Sequence, residues 1–362
     1  MAGFELSDLA LQSVMPGNKL ITDDKEMPSI MVYIPKFQLK DVLNTADTSV
    51  HPAFKINGTE RDGFWVGKYQ SMEGNNGRMY SLPGQNVKHT LGLDGFVSRS
   101  IAKGAGWHEI TAAEWAALAL WSKKNNTMPL GNNNYGKDTT ESVYKAIPDN
   151  VDATHHAVRV KTGTGPVSWS HNHALDGVWD LNGNVNEWCT GFRLVKGEVQ
   201  IIKDNDAADS SKDLSATSSL WKAIDATTGA LIDPNGSGTT TNSVKLDYVS
   251  NTTWKYGITA PTYGTGGKGC TFGTVGCTAD IGAAAKLLLR ALAMLPDDGA
   301  QASDYSGDYF YADASADERC LCRGGNYDNA GNAGVFYANL AYGRASTNDG
   351  LGGRLAYSEA LD

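Results

Sequence analysis

Cysteine is scarce and odd in number. The 362-residue chain carries five, at Cys189, Cys270, Cys277, Cys320 and Cys322, far below the density of a small disulfide scaffold. Cys270 and Cys277 flank a short Gly-rich loop and could pair. Cys320 and Cys322 are too close for an easy disulfide and do not make a Cys-x-x-Cys. Zinc needs about four ligands at known spacing, and no such set occurs. Positive charge is also short: 31 Lys and Arg against 40 Asp and Glu leave a net charge of −9. No basic stripe is visible, which argues against a nucleic-acid or anionic-membrane partner. No stretch approaches a membrane span. The start, Met1-Ala-Gly-Phe-Glu-Leu-Ser-Asp8, lacks the basic region and apolar run of a cleaved leader.

What is present points to a globular chain of one to two domains with a sizeable core. Hydrophobic residues make up 41% and charged residues 20%, outside the disordered range. The 41 glycines, with plentiful Asn, Thr and Ser, favour short strands and many loops. Residues 1–28 read as an N-terminal arm, left open between an ordered arm, a short helix and a partner-binding segment. The rest, 29–362, reads as one domain. Met31-Val-Tyr-Ile-Pro35 and Gly63-Phe-Trp-Val-Gly-Lys-Tyr69 are strand candidates, and 40–60 reads as loop. Thr111 with Glu114 makes a capping box ahead of the clearest helix, whose Trp115, Leu118 and Trp121 lie near one face as core residues.

His155, His156, His171 and His173 invite a metal reading, but no Glu-bearing helical motif accompanies them, and loop or hydrogen-bonding roles are expected. Around Asn182-Gly183-Asn184 the apolar run from Val178 to Trp188 is broken by a turn that needs positive φ. Arg193–Ile202 reads as a hairpin around Lys196-Gly197. Residues 203–280 change to Thr, Ser, Gly and Asp, as a long insertion or a small subdomain. Asp204-Asn-Asp206 with Asp209 resembles a fragment of a calcium loop but lacks its Gly and closing Glu, so no cofactor is expected. Residues 281–295 form a buried helix or strand.

The tail from Cys322 alternates two kinds of residue. Arg323, Gly324, Gly325, Ala333, Gly334, Val335, Gly352, Gly353, Arg354, Leu355 and Ala356 look like framework. Asn, Tyr, Asp, Ser and Thr fill the space between, and adaptable polar groups beside rigid aromatics suit a recognition surface.

Met31-Val-Tyr-Ile-Pro, Phe64-Trp-Val-Gly-Lys-Tyr, Trp107 with Thr111-Ala-Ala-Glu-Trp, Gly177-Val-Trp-Asp-Leu-Asn-Gly-Asn-Val-Asn-Glu-Trp, Arg323-Gly-Gly-Asn-Tyr and Gly353-Arg-Leu-Ala follow the order seen in formylglycine-generating (sulfatase-modifying) domains. The chain resembles that family over residues 31–356. The resemblance implies an α+β, C-type-lectin-like fold of the formylglycine-generating subtype. It would have short strands, about two helices, long loops, a large insertion at about 195–320, and early and late strands lying together. The family's oxidases use two cysteines shortly after the Arg-Gly-Gly motif. Here that place is Asp328-Asn-Ala-Gly-Asn-Ala-Gly334, with no thiol to form the thiolate such chemistry needs, so no enzyme is expected.

The tail resembles instead the variable region of diversity-generating retroelement proteins, which use this fold as a ligand-binding scaffold. In those systems template adenines are miscopied, so an Asn codon varied at its first two bases cannot give Lys, Glu, Gln, Met or Trp. None of these five occurs in residues 323–354. The resemblance implies a receptor-recognition protein of a virion or cell surface, binding a protein or glycan on a target cell. The expected variable positions are Tyr327, Asp328, Asn329, Asn332, Tyr337, Asn339, Ala341, Tyr342, Arg344, Thr347, Asn348 and Asp349. One departure is Gly353, where an aromatic residue is common. Competing readings are a sulfatase-modifying oxidase and a structural virion appendage.

Overall fold

The structure, a computed structural model, describes residues 2–154 and 156–359. It is mixed α+β, mostly strand with few helices. Alternating apolar residues in Pro28–Pro35 and Gly63–Gly67 make half-buried strands, and these build a five-stranded sheet. Its order is Asn18–Thr22, Pro28–Pro35, Gly63–Gly67, Leu355–Tyr357, Trp107–Glu109. The last strand sits antiparallel between two early ones, Ala356 opposite both Val66 and His108. The start and end of the chain are thereby locked in one sheet.

A second sheet of twelve strands holds the tail. Arg319–Gly324 lies between Asn186–Val195 and Gly334–Tyr342, and Leu351–Gly352 pairs parallel with Asn186–Val195. The strands of segment 195–320 extend this sheet at both edges. Glu198–Ile202 folds back on Asn186–Val195 through Lys196 and Gly197, both at positive φ, and Lys245–Val249 and Thr253–Gly257 follow. At the other edge, Tyr309–Ala312 runs parallel beside Gly334–Tyr342, with Lys268–Thr271 outside it.

Among the described residues the α-helices are α1 (Ala2–Val14), α2 (Leu39–Val42), α3 (Leu93–Ile101), α4 (Ala112–Lys124) and α5 (Ala283–Ala291), where about two were expected. Residues 40–60 are not simply loop: they hold most of α2, a 3-10 turn at Pro52–Phe54 and the hairpin Lys55–Ile56 with Thr59–Glu60. These pieces are too short to show a period in the sequence. The capping box of α4 is formed, Thr111 Oγ1 accepting from Glu114 N at 3.1 Å and Glu114 Oε2 accepting from Thr111 N at 3.1 Å. Its burial is not one-sided, because Ala112 through Leu120 are all buried while Trp121 is half-buried. A helix apolar all round is a core helix. Cys270 and Cys277 are free thiols. Among the described residues, no helix is long and apolar enough to cross a membrane.

Candidate binding face

Two arginines bracket the tail, and both are wholly buried. Arg354 donates from Nε and Nη2 to the two carboxylate oxygens of Glu187, each at 2.7 Å, from Nη2 also to Trp179 O at 2.8 Å, and from Nη1 to Gly67 O at 2.9 Å. All three nitrogens of the planar fork have acceptors, which is what makes a buried guanidinium tolerable. Arg323 has no carboxylate against it. Its Nη2 donates to Leu292 O at 2.9 Å and Ala293 O at 3.0 Å, just past the C-terminus of α5, where the carbonyl dipoles favour a cation. Burial pulls its pKa down to about 10, so it stays charged at neutral pH.

Glu187 belongs to the run 177–188, which explains its spacing. The chain turns through Asp180, Gly183 and Asn184, all at positive φ. Asn184 then works as a buried hub: its Nδ2 donates to Gln70 Oε1 at 2.8 Å, and its Oδ1 accepts from Val160 N at 2.8 Å and Asn132 Nδ2 at 3.1 Å. Gln70 Nε2 reaches Glu187 Oε1 at 2.9 Å. One network thus ties strand 63–67, loop 131–160 and the end of the tail. Gly324 and Gly325, both at positive φ, turn the chain out of its strand, and a Cβ on Gly325 would lie 2.6 Å from Ala333 Cβ.

Between the arginines, the strand Gly334–Tyr342 sends Phe336, Ala338 and Leu340 into the main core. Trp115 Nε1 fixes it from α4 by donating to Val335 O at 2.8 Å. Its pairing with Arg319–Gly324 slips by one residue between Cys322–Asn339 and Cys320–Tyr342. A one-residue bulge reverses the alternation of faces, and so returns Tyr342 to the side of Tyr337 and Asn339. On that side Tyr342 meets Trp188 edge-on, with ring centroids 6.3 Å apart.

The twelve expected variable positions divide three ways. Asp328, Asn332, Thr347 and Asp349 are exposed, and Tyr327, Asn329, Ala341, Tyr342, Arg344 and Asn348 are half-buried. Tyr337 and Asn339 are not exposed: they retain only 6% and 5% of their accessible surface. They lie mid-sheet, with Asn339 Nδ2 donating to the Tyr337 hydroxyl at 3.1 Å and Asn339 Oδ1 accepting from Ala341 N at 2.9 Å. Tyr327 donates to Asp349 Oδ2 at 3.2 Å, and burial with that carboxylate pushes its phenol up to about 12. Burial raises the Tyr342 phenol above its usual range, and neighbouring Asn348 offsets part of that. Arg344 is drawn away from the open face, to Asp94 at 2.7 Å and Glu318 at 3.1 Å. What remains exposed is therefore polar and acidic.

Other residues join this face that its sequence did not single out. Tyr311 stands opposite Asn339 in the parallel pairing, and Tyr309 follows it two residues back; the period-two spacing of these tyrosines was the available signal. Loop 131–160 forms one wall, with Tyr135 N donating to Tyr327 O at 2.9 Å and their rings edge-on at 5.6 Å. Arg159 donates to Asp349 O at 3.1 Å and Oδ2 at 3.3 Å. Nothing in an Asn/Gly-rich loop advertises these two.

Cys320 and Cys322 are buried, and burial pushes the first thiol up to about 12 and the second well above the usual range. Asp206 and Asp209 accept from Asn57 N at 2.6 Å and Asn57 Nδ2 at 2.8 Å. His171 Nδ1 accepts from Val178 N at 2.9 Å, His173 contacts Met128 O at 3.2 Å, and exposed His156 contacts Thr154 Oγ1 at 3.0 Å. His155 lies outside the described residues. Among the described residues no three His, Cys, Asp or Glu side chains are grouped to hold a metal.

No protein-family model matches the chain, and no curated protein matches it. Among solved structures, the Major Tropism Determinant P3c variant is similar over 91% of this chain, at 11% identity and a TM-score of 0.30. The match covers 62% of that protein's chain, less than two thirds of its length. So distant a likeness adds nothing to the geometry above.

Proposed function

We propose that the protein is a non-enzymatic receptor-recognition protein with a C-type-lectin-like fold, its tail diversified by an adenine-directed retroelement. The ligand is a protein or glycan on a target cell, and the chain works at a virion or cell surface. The observation that carries the reading is the division of labour within the tail. Fully buried Arg323 and Arg354 fix its two ends, while most of the polar and aromatic side chains between them reach solvent. A rigid frame beneath exchangeable side chains lets recognition change without refolding the backbone. The buried, high-pKa thiols of Cys320 and Cys322 favour this over a thiol oxidase.

The test is genomic. A reverse transcriptase gene and a near-copy of the sequence encoding residues 323–354 are expected beside this gene, with mismatches confined to template adenines. Mismatches spread over all four bases, or no near-copy, would overturn the diversification.

A further inference from the structure

Four large apolar side chains stand in water between residues 143 and 151: Val143 is 58% exposed, Tyr144 52%, Ile147 58% and Val151 49%. Single exposed apolar residues are ordinary, but a group of them marks a contact surface. The backbone beneath is ordered. Lys145 N donates to Gly136 O at 3.1 Å, Asp149 N to Arg159 O at 3.0 Å, Val158 N to Asn150 O at 2.9 Å and Lys161 N to Ile147 O at 2.8 Å. Ile147 and Val151 are thus held on a fixed hairpin, and Val143 and Tyr144 on the segment just before it, tied to Gly136. Beside them is an open cavity of about 470 Å³ whose lining includes Tyr135, Lys137, Val143, Tyr144 and His156.

The patch is joined to the binding face twice. Tyr135 touches Tyr327 through backbone and ring. Tyr135 also has φ +51, a conformation a bulky residue adopts only where its surroundings impose it. Independently, Arg159 of the hairpin grips Asp349, which in turn accepts from the Tyr327 hydroxyl.

We propose that this patch is a constant half of the ligand surface, and that the ligand is a protein placing an aliphatic or aromatic side chain in the cavity between Tyr135 and Tyr144. The inference rests on the binding reading above and narrows its ligand class. Val143, Ile147 and Val151 offer nothing to sugar hydroxyls, which would be left unpaired against methyl groups. Apolar anchors set in a pocket and rimmed by polar groups are how protein partners are held.

The experiment titrates the full chain, methyl-labelled at Val and Ile, with indole as a stand-in for a tryptophan side chain and with methyl β-glucoside as a sugar. Saturable shifts at the Val143 methyls, which line the cavity, are expected with indole and not with the glucoside. Read at those methyls, binding should weaken at least tenfold in Tyr144→Ser and Lys137→Glu, which should melt like the parent. No saturable shift, or saturation by the glucoside alone, overturns the proposal. Concentration-dependent self-association that Val143→Asp abolishes would also overturn it, by making the patch an interface between copies. Failure here is separable from failure of the binding reading: template mismatches at adenines without indole shifts sink only the patch, and the reverse pattern sinks only the diversification.

Discussion

The guanidinium of Arg354 and the carboxylate of Glu187 form two hydrogen bonds of 2.7 Å with both side chains fully buried, and this pair clasps the end of the tail to the run 177–188. Removing one partner leaves the other charge buried and unmatched. Glu187→Gln is expected to cost about 3–5 kcal/mol of unfolding free energy, read by urea denaturation. Replacing both by apolar residues of similar volume should cost less than the sum of the two single changes. Additive losses would show that the pair is not coupled.

Gly353 sits one residue before this arginine, and its lack of a side chain is what admits a second buried acid. A Cβ there would lie 2.0 Å from Glu109 Oε1 and 2.7 Å from Phe96 Cδ1. Glu109 needs the position, since its Oε1 accepts from Arg354 N at 2.9 Å and its Oε2 from Ser100 Oγ at 3.0 Å. Gly353→Ala is expected to destabilise by about 1–3 kcal/mol. Combined with Glu109→Ala the loss should be less than additive, because the atom struck is gone. An additive double mutant would place the strain elsewhere.

The framework was legible in the sequence for a physical reason. The capping box of α4, the turn at Asn182-Gly183-Asn184 and the hairpin at Lys196-Gly197 are local devices, each written in adjacent residues. The residues that decide the site's shape depend on distant partners. Nothing near Tyr337 shows that it is buried mid-sheet, and Arg159 meets Asp349 across nearly two hundred residues of chain. The departure at Gly353 was visible, but its cause, Glu109, lies far away in the sequence.

The divided variable set has a measurable consequence. Exposed Asp328, Asn332 and Thr347 should accept Tyr or Ser with changes within about 0.5 kcal/mol. Tyr337→Ala removes a buried aromatic and should lose about 3 kcal/mol or more. Thermal melts of the four single variants decide the matter. A harmless Tyr337→Ala would mean that its pocket collapses freely and that the position belongs with the exposed group.

His51 supplies a pH signature. It is buried near Phe37 and Phe54, its Nε2 2.7 Å from Ala291 O and its Nδ1 accepting from Ala53 N at 3.2 Å. Burial lowers its pKa from 6.5 to about 4, so the unfolded chain takes up the proton first as pH falls. The stability from keeping this ring neutral is complete above pH 6.5, drains between 6.5 and 4, and levels off below; the gap corresponds to roughly 3 kcal/mol at most. Buried His171, lowered to about 3, acts with the same sign. Asp180 acts oppositely: burial raises its pKa to about 6, so its cost in the folded state is relieved as pH drops through that value. The whole-protein acid curve mixes these, and the difference between parent and His51→Gln isolates one of them. That difference in unfolding free energy should shrink as pH is lowered from 7.5 to 4.5, and a difference independent of pH would show that His51 titrates alike in both states.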